Sequence, residues 1–141
     1  MTERLRHDMV FINLPVADVK AAVEFYRALG FVENQVFRDE STASFEVSDH
    51  IVVMLLERER FASFHSRETV ASGGPREALV CISMDSAEDV TTLVNRAREA
   101  GGLITKEPHE EGPMYGAAFD DPDGHGWELM WMDPEALANM G

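Results

Sequence analysis

The chain reads strand–helix–strand–strand–strand twice, the second pass about seventy positions after the first. The apolar run Met9-Val10-Phe11-Ile12-Asn13-Leu14-Pro15-Val16 predicts a strand, with Pro15 suited to its end or to a sheet edge. Asp18 can cap the helix that follows. Val19, Val23, Tyr26 and Leu29 share one helical face, widened by Phe25, and Gly30 stops the helix. Strands are expected over 31–37, 42–47 and 51–57, with Ser48-Asp49-His50 as a hairpin turn. The pattern restarts with a strand over 78–84. Ser86 is the expected helix cap, with Asp89 three positions on as a variant of the capping box. Val90, Leu93, Val94 and Ala97 form the second apolar face, and Gly101-Gly102 end that helix. Strands follow over 103–107, 115–120 and 126–132, the last two joined by the turn Asp121-Pro122-Asp123-Gly124.

Repetition of a whole module constrains the fold more than any single segment does. Each half places one amphipathic helix over one face of a four-stranded sheet. The other face must be covered by the second half, a partner chain or a ligand. The expectation is an α+β fold: two βαβββ modules with curled mixed sheets around a cavity. The alternative is one α+β domain whose halves resemble each other by chance. The boundaries expected are a single domain over 1–141, with module one about 8–60, a linker about 61–76 and module two about 77–134. The linker is polar, carries Gly73-Gly74-Pro75, and leaves room for a short helix around 61–64. The tail from Asp133 is read as a short helix or a loose end.

Acidic residues number 26 against 12 basic ones, a net charge of −14. That field repels nucleic acid and anionic membranes, and it favours cationic small molecules. It also keeps a protein soluble, which is the plainer explanation. The one cysteine, Cys81, lies in the apolar run Leu79-Val80-Cys81-Ile82 and is expected to be a small buried hydrophobe. The charged start, MTERLRHDM, has no apolar stretch of the kind a secretory leader needs. No apolar run approaches the ~20 residues that cross a bilayer. A cytoplasmic setting is expected.

Three stretches carry a resemblance. The first runs Asn13-Leu14-Pro15-Val16-Ala17-Asp18-Val19, and the second Phe25-Tyr26-Arg27-Ala28-Leu29-Gly30-Phe31. The third runs Phe119-Asp120-Asp121-Pro122-Asp123-Gly124-His125-Gly126-Trp127-Glu128-Leu129. They resemble the vicinal-oxygen-chelate superfamily of glyoxalases, bleomycin-resistance proteins and dioxygenases, over about residues 9 to 133. Val53-Met54-Leu55-Leu56, Met114-Tyr115-Gly116 and the closing Trp127 to Pro134 are similar to a bacterial branch labelled "predicted lactoylglutathione lyase". The resemblance implies the double βαβββ fold and a homodimer. In metal-dependent members it also implies a divalent ion held by His, Glu or Gln from the first and last strands of each module. Bleomycin-resistance members share the fold without metal and sequester a cationic drug.

Carried onto this chain, the four ligand positions fall on Phe11, Met54, Leu79 and Glu128. Two have no donor atom, a thioether suits soft ions, and one carboxylate alone holds a divalent ion poorly. No family-type metal and no other cofactor is expected. The five histidines are read as residues of tails and loops, His109 among them. Strand alternation then predicts a mostly apolar ligand pocket of Phe11, Asn13, Met54, Leu56, Leu79, Ser83, Glu128 and Met130, with Tyr115 at its rim. Glu128 is the candidate catalytic group, able to act as acid or base or to pair with a cation. Trp127 and Trp131 are expected to pack against a helix. Three functions compete. One is metal-free binding of a cationic or aromatic small molecule. The second is a glyoxalase-like lyase, using a divalent metal or acid–base chemistry at Glu128. The third is a dimeric scaffold or regulator with an incidental cavity. None involves nucleic acid or a membrane.

Overall fold

A computed structural model describes residues 2–140. By its internal contacts the chain divides into two compact units, Met1–Thr69 and Val70–Gly141. In the first unit, β1 (Val10–Val16) leads into α1 (Val19–Leu29), then β2 (Val32–Glu33), β3 (Thr42–Ser48) and β4 (Ile51–Glu57). The Asp18 carboxylate accepts hydrogen bonds from the Lys20 and Ala21 amides, satisfying two of the helix's free N–H groups. At the other end Gly30 takes the left-handed conformation (φ 97°) that ends a helix without a Cβ clash. The sheet order is β1-β4-β3-β2, with β1 parallel to β4 and the remaining pairs antiparallel. The edge position of β1 accommodates Pro15, which has no N–H to donate.

The second unit repeats the plan with β5 (Val80–Ser83), α3 (Ala87–Glu99), β6 (Leu103–Glu111), β7 (Met114–Asp120) and β8 (Gly126–Met132). Its order is β5-β8-β7-β6, and β5 is parallel to β8. Ser86 caps α3 by accepting from the Asp89 amide, the bond expected from their spacing. Val90, Leu93, Val94 and Ala97 are all buried. The fold is thus α+β, two βαβββ modules on mixed four-stranded sheets, and neither sheet closes into a barrel. Between the modules' strands lies α2 (Arg58–Ala62), and α4 (Pro134–Met140) ends the described chain. Among the described residues no helix is long and apolar enough to cross a membrane.

In each unit the core lies between helix and sheet. Tyr26 of α1 is fully buried and contacts the Phe45 ring of β3 at 6.2 Å between centroids. Phe45 pairs with Val53, and Val53 with Ile12, so these side chains share the helix-facing side. In the second unit the Tyr115 hydroxyl lies 3.0 Å from the Thr91 hydroxyl of α3. Tyr115 pairs with Trp131, and by alternation Trp127, Leu129, Ala117 and Phe119 share that side. Trp127 is 1% exposed, so this half closes on a fully enclosed indole.

Several expected boundaries differ. The strand expected over 31–37 shrinks to Val32–Glu33, because Asn34 accepts from the Val36 amide and starts a 3-10 turn over Gln35–Phe37. The linker helix begins at Arg58, earlier than expected. Strand β6 continues to Glu111, so His109 stands on an edge strand and not in a loop. Pro108 falls within the register shift between Lys106 and His109, an irregularity where a strand tolerates a residue without an N–H. Cys81 is exposed, contrary to the expectation of a buried thiol. It sits on an edge strand with its side chain on the face away from α3.

Candidate functional site

The open face of the second sheet carries the site. Because Tyr115 and Trp131 point to the helix, their neighbours Met114, Gly116, Ala118, Glu128, Met130 and Met132 point away from it. The registers arrange these residues in rows across four strands. One row runs Cys81, Glu128, Ala118, Lys106, and the next runs Ser83, Met130, Gly116, His109. Small residues on β7 leave a trough between larger side chains on β8 and β6. At Gly116 the trough is obligatory, since a Cβ there would come within 2.9 Å of the Leu129 carbonyl oxygen. The register of β6 against β7 shifts twice between Ile104 and His109. Such irregularities re-aim side chains, and here Lys106 and His109 both end on the trough side.

The resulting cleft has a volume of about 140 Å³ and is lined by Cys81, Lys106, His109, Met114, Glu128 and Met130 among others. Pockets for drug-sized ligands run to roughly 300–1,000 Å³, so this one fits a ring or a short chain. Glu128 forms no ion pair with a basic side chain among the described residues. Cys81 is exposed as a residue, but the sheet partly desolvates its sulfur; this first, and then the Glu128 carboxylate across the ladder, push the thiol up. The thiol is therefore a poor nucleophile near neutrality. His109 Nδ1 lies 3.0 Å from the Glu107 carbonyl oxygen, and its Nε2 lies 3.7 Å from the Glu111 carboxylate.

Of the residues expected to line one pocket, Glu128 and Met130 line this cleft. Ser83 shares their face, opposite Met130, and Leu79 stands exposed just before β5. Tyr115 does not belong to this cleft's rim: its hydroxyl is engaged with Thr91 on the helix side. Phe11, Asn13, Met54 and Leu56 share the open face of the first unit's sheet, where Phe11 is 58% exposed and Leu56 is buried. Sequence reasoning missed Lys106, His109, Glu111 and Met114. The acidic stretch His109-Glu110-Glu111 hides its strand character, and pairing with Met114 to Gly116 is what reveals it.

The donor set does not fit the divalent ion that the resemblance implies. Phe11 and Leu79 offer no lone pair and Met54 only a soft sulfur, leaving Glu128 as the single hard donor. Among the described residues no three His, Cys, Asp or Glu side chains gather as a metal cluster.

The comparisons with known proteins agree with this architecture. Residues 8–129 match the family model of the Glyoxalase/Bleomycin resistance protein/Dioxygenase superfamily. Among curated proteins none matches the chain. A hypothetical protein from S. aureus is 30% identical with a TM-score of 0.75, over 86% of this chain and 92% of its own. A glyoxalase-related enzyme from Fulvimarina pelagi superposes with a TM-score of 0.74 at 21% identity, over 87% of this chain and 86% of its own. A lactoylglutathione lyase from Agrobacterium tumefaciens gives 0.65 at 17% identity, over 91% and 96%. The last two likenesses are of fold. With the doubled βαβββ plan and the family match over most of its length, the chain belongs to the glyoxalase/bleomycin resistance protein/dioxygenase superfamily.

Proposed function

We propose that this chain is a small-molecule binding protein that works without the divalent ion of its metal-dependent relatives. Its ligand is a cationic or aromatic compound, and a ring or short chain of that compound occupies the trough over Gly116. The observation that carries the reading is the Glu128 carboxylate facing an open cleft beside Met130 and Met114, with no basic side chain among the described residues in an ion pair with it. A carboxylate so placed favours a cation, and thioethers pack well against aromatic rings. The net charge of −14 steers cations toward the protein. Assembly as a homodimer and a cytoplasmic setting belong to the same reading. Exposed Phe11 and Leu79 support the first, and a single free cysteine suits the second.

The alternative is a glyoxalase-like lyase in which Glu128 moves a proton. The same unpaired carboxylate favours it. Hemithioacetal turnover lost in Glu128→Ala would establish that reading.

The test of binding is a thermal-shift panel of planar aromatic amines and their uncharged analogues. The reading expects amines to raise the melting temperature of the native chain more than that of Glu128→Gln. A flat response across the panel would remove it.

A further inference from the structure

The geometry points to a soft-cation site, suited to Cu(I), formed by Met130, Met114 and His109 over the gap left by Gly116. It does not depend on the organic ligand proposed above. None of its three residues occupies a position where the superfamily resemblance places a metal ligand.

The registers bring the three together. Met130 stands directly opposite Gly116, and Gly116 directly opposite His109. With no side chain between them, the two walls stand two strand spacings apart, roughly 10 Å. A methionine and a histidine leaning over the gap are long enough to share one ion. Met114 opposes Met132, which puts it one diagonal step from Met130 on the same face. All three residues line the one cleft.

The imidazole is set up for the role. Nδ1 meets the Glu107 carbonyl oxygen at 3.0 Å. A carbonyl only accepts, so the Nδ1–H donates to it, which leaves Nε2 as the ring nitrogen free to take a metal. Metal-bound histidines are held by this kind of backbone contact. The Glu111 carboxylate, 3.7 Å from Nε2, would balance a bound monovalent charge. Two thioethers and one imidazole form a soft set that selects Cu(I) over Mg, Ca or Mn. Cys81 lies on β5, three strands from His109, and the site does not need it. Its thiol would bind Cu(I) by itself, so it must be removed in the test.

The experiment titrates Cu(I) anaerobically into the full chain carrying Cys81→Ser, against a coloured Cu(I) chelator. In parallel, Ag(I) is added to the same protein labelled at its methionine methyl groups and followed by NMR. The expected result is a single Cu(I) retained without Cys81, with the Met114 and Met130 methyls shifting and those of Met9 and Met140 still. Added singly to that background, Met130→Leu, Met114→Leu and His109→Gln should each weaken binding by about tenfold or more, since even losing a ligand's support costs that much. Methionine-to-leucine changes conserve volume, so the fold is kept. The methyl shifts report on the site even where a variant misfolds. Loss of all binding with Cys81→Ser would assign the metal to the thiol alone. Equal shifts at all methionines would mean unspecific uptake. Either overturns the proposal.

Discussion

Glu128 lies directly opposite Cys81 in the parallel ladder between β5 and β8. Burial first, and the carboxylate's charge second, hold the thiol in its protonated form to higher pH than usual. Alkylation of Cys81 by iodoacetamide should therefore gain rate only at a pH above that of an ordinary thiol. Glu128→Gln should move the profile down while leaving part of the shift, because burial remains. A profile that ignores Glu128→Gln would contradict the pairing. The sign for stability follows the same shift. A thiol whose folded pKa is raised contributes stability below its unfolded pKa, and the contribution is lost as pH rises through the folded value.

Carboxylates on the surface act in the opposite direction. Hydrogen bonds from Arg98, and then its charge, lower the Glu107 pKa. The Asp39 carboxyl is lowered mainly by the Ser41 amide, with the Ser41 hydroxyl next. Depressed carboxylates contribute stability above their unfolded pKa, lost as pH falls through the folded value. Urea melts between neutral and acid pH should show Arg98→Gln with a slightly shallower acid loss than the native chain. The change should be small, because exposed pairs contribute little.

The helix ends and the second core make stronger predictions. Gly30→Ala forces a Cβ into the left-handed region at φ 97°. It should cost roughly 1–2 kcal/mol. Ser86→Ala removes the bond to the Asp89 amide and should cost about 1 kcal/mol. Trp127→Ala empties a fully enclosed site and should cost about 3–5 kcal/mol. Denaturant midpoints rank the three, and a Trp127→Ala loss no larger than that of Ser86→Ala would refute the packing described.

Most of the fold was legible because its signals are local. Asp18 and Ser86 cap where their spacing says they should, and Gly30 ends α1. The buried faces of α1 and α3 follow a helical period that tertiary contacts reinforce. Asn34 shows the limit. Its neighbours are good strand formers, yet a single side-chain bond to the Val36 amide turns the chain out of β2. Strand β6 was expected over 103–107, and only its extension to Glu111 was missed. The residues of that extension, His109-Glu110-Glu111, are polar, so only their pairing with Met114 to Gly116 defines them as strand.

The site was legible in part. Alternation along β8 set Glu128, Met130 and Met132 on one face and Trp127 and Trp131 on the other. Tyr115 was assigned to the rim by its polarity alone. Register puts it on the other side, where Thr91 satisfies its hydroxyl. Cys81 has the opposite history: an apolar neighbourhood in sequence became an exposed position at a sheet edge. Lys106 and His109 reach the cleft through register shifts that no local rule encodes.

The cleft beside Glu128 is proposed to bind a small molecule without a divalent ion. The direct test is NMR of methionine-methyl-labelled protein, screened against cationic aromatic compounds with a metal chelator present throughout. The account predicts that at least one compound shifts the Met114 and Met130 methyls saturably, and that Glu128→Gln weakens it. Binding that appears only after Ni, Zn, Mn or Fe replaces the chelator would contradict it.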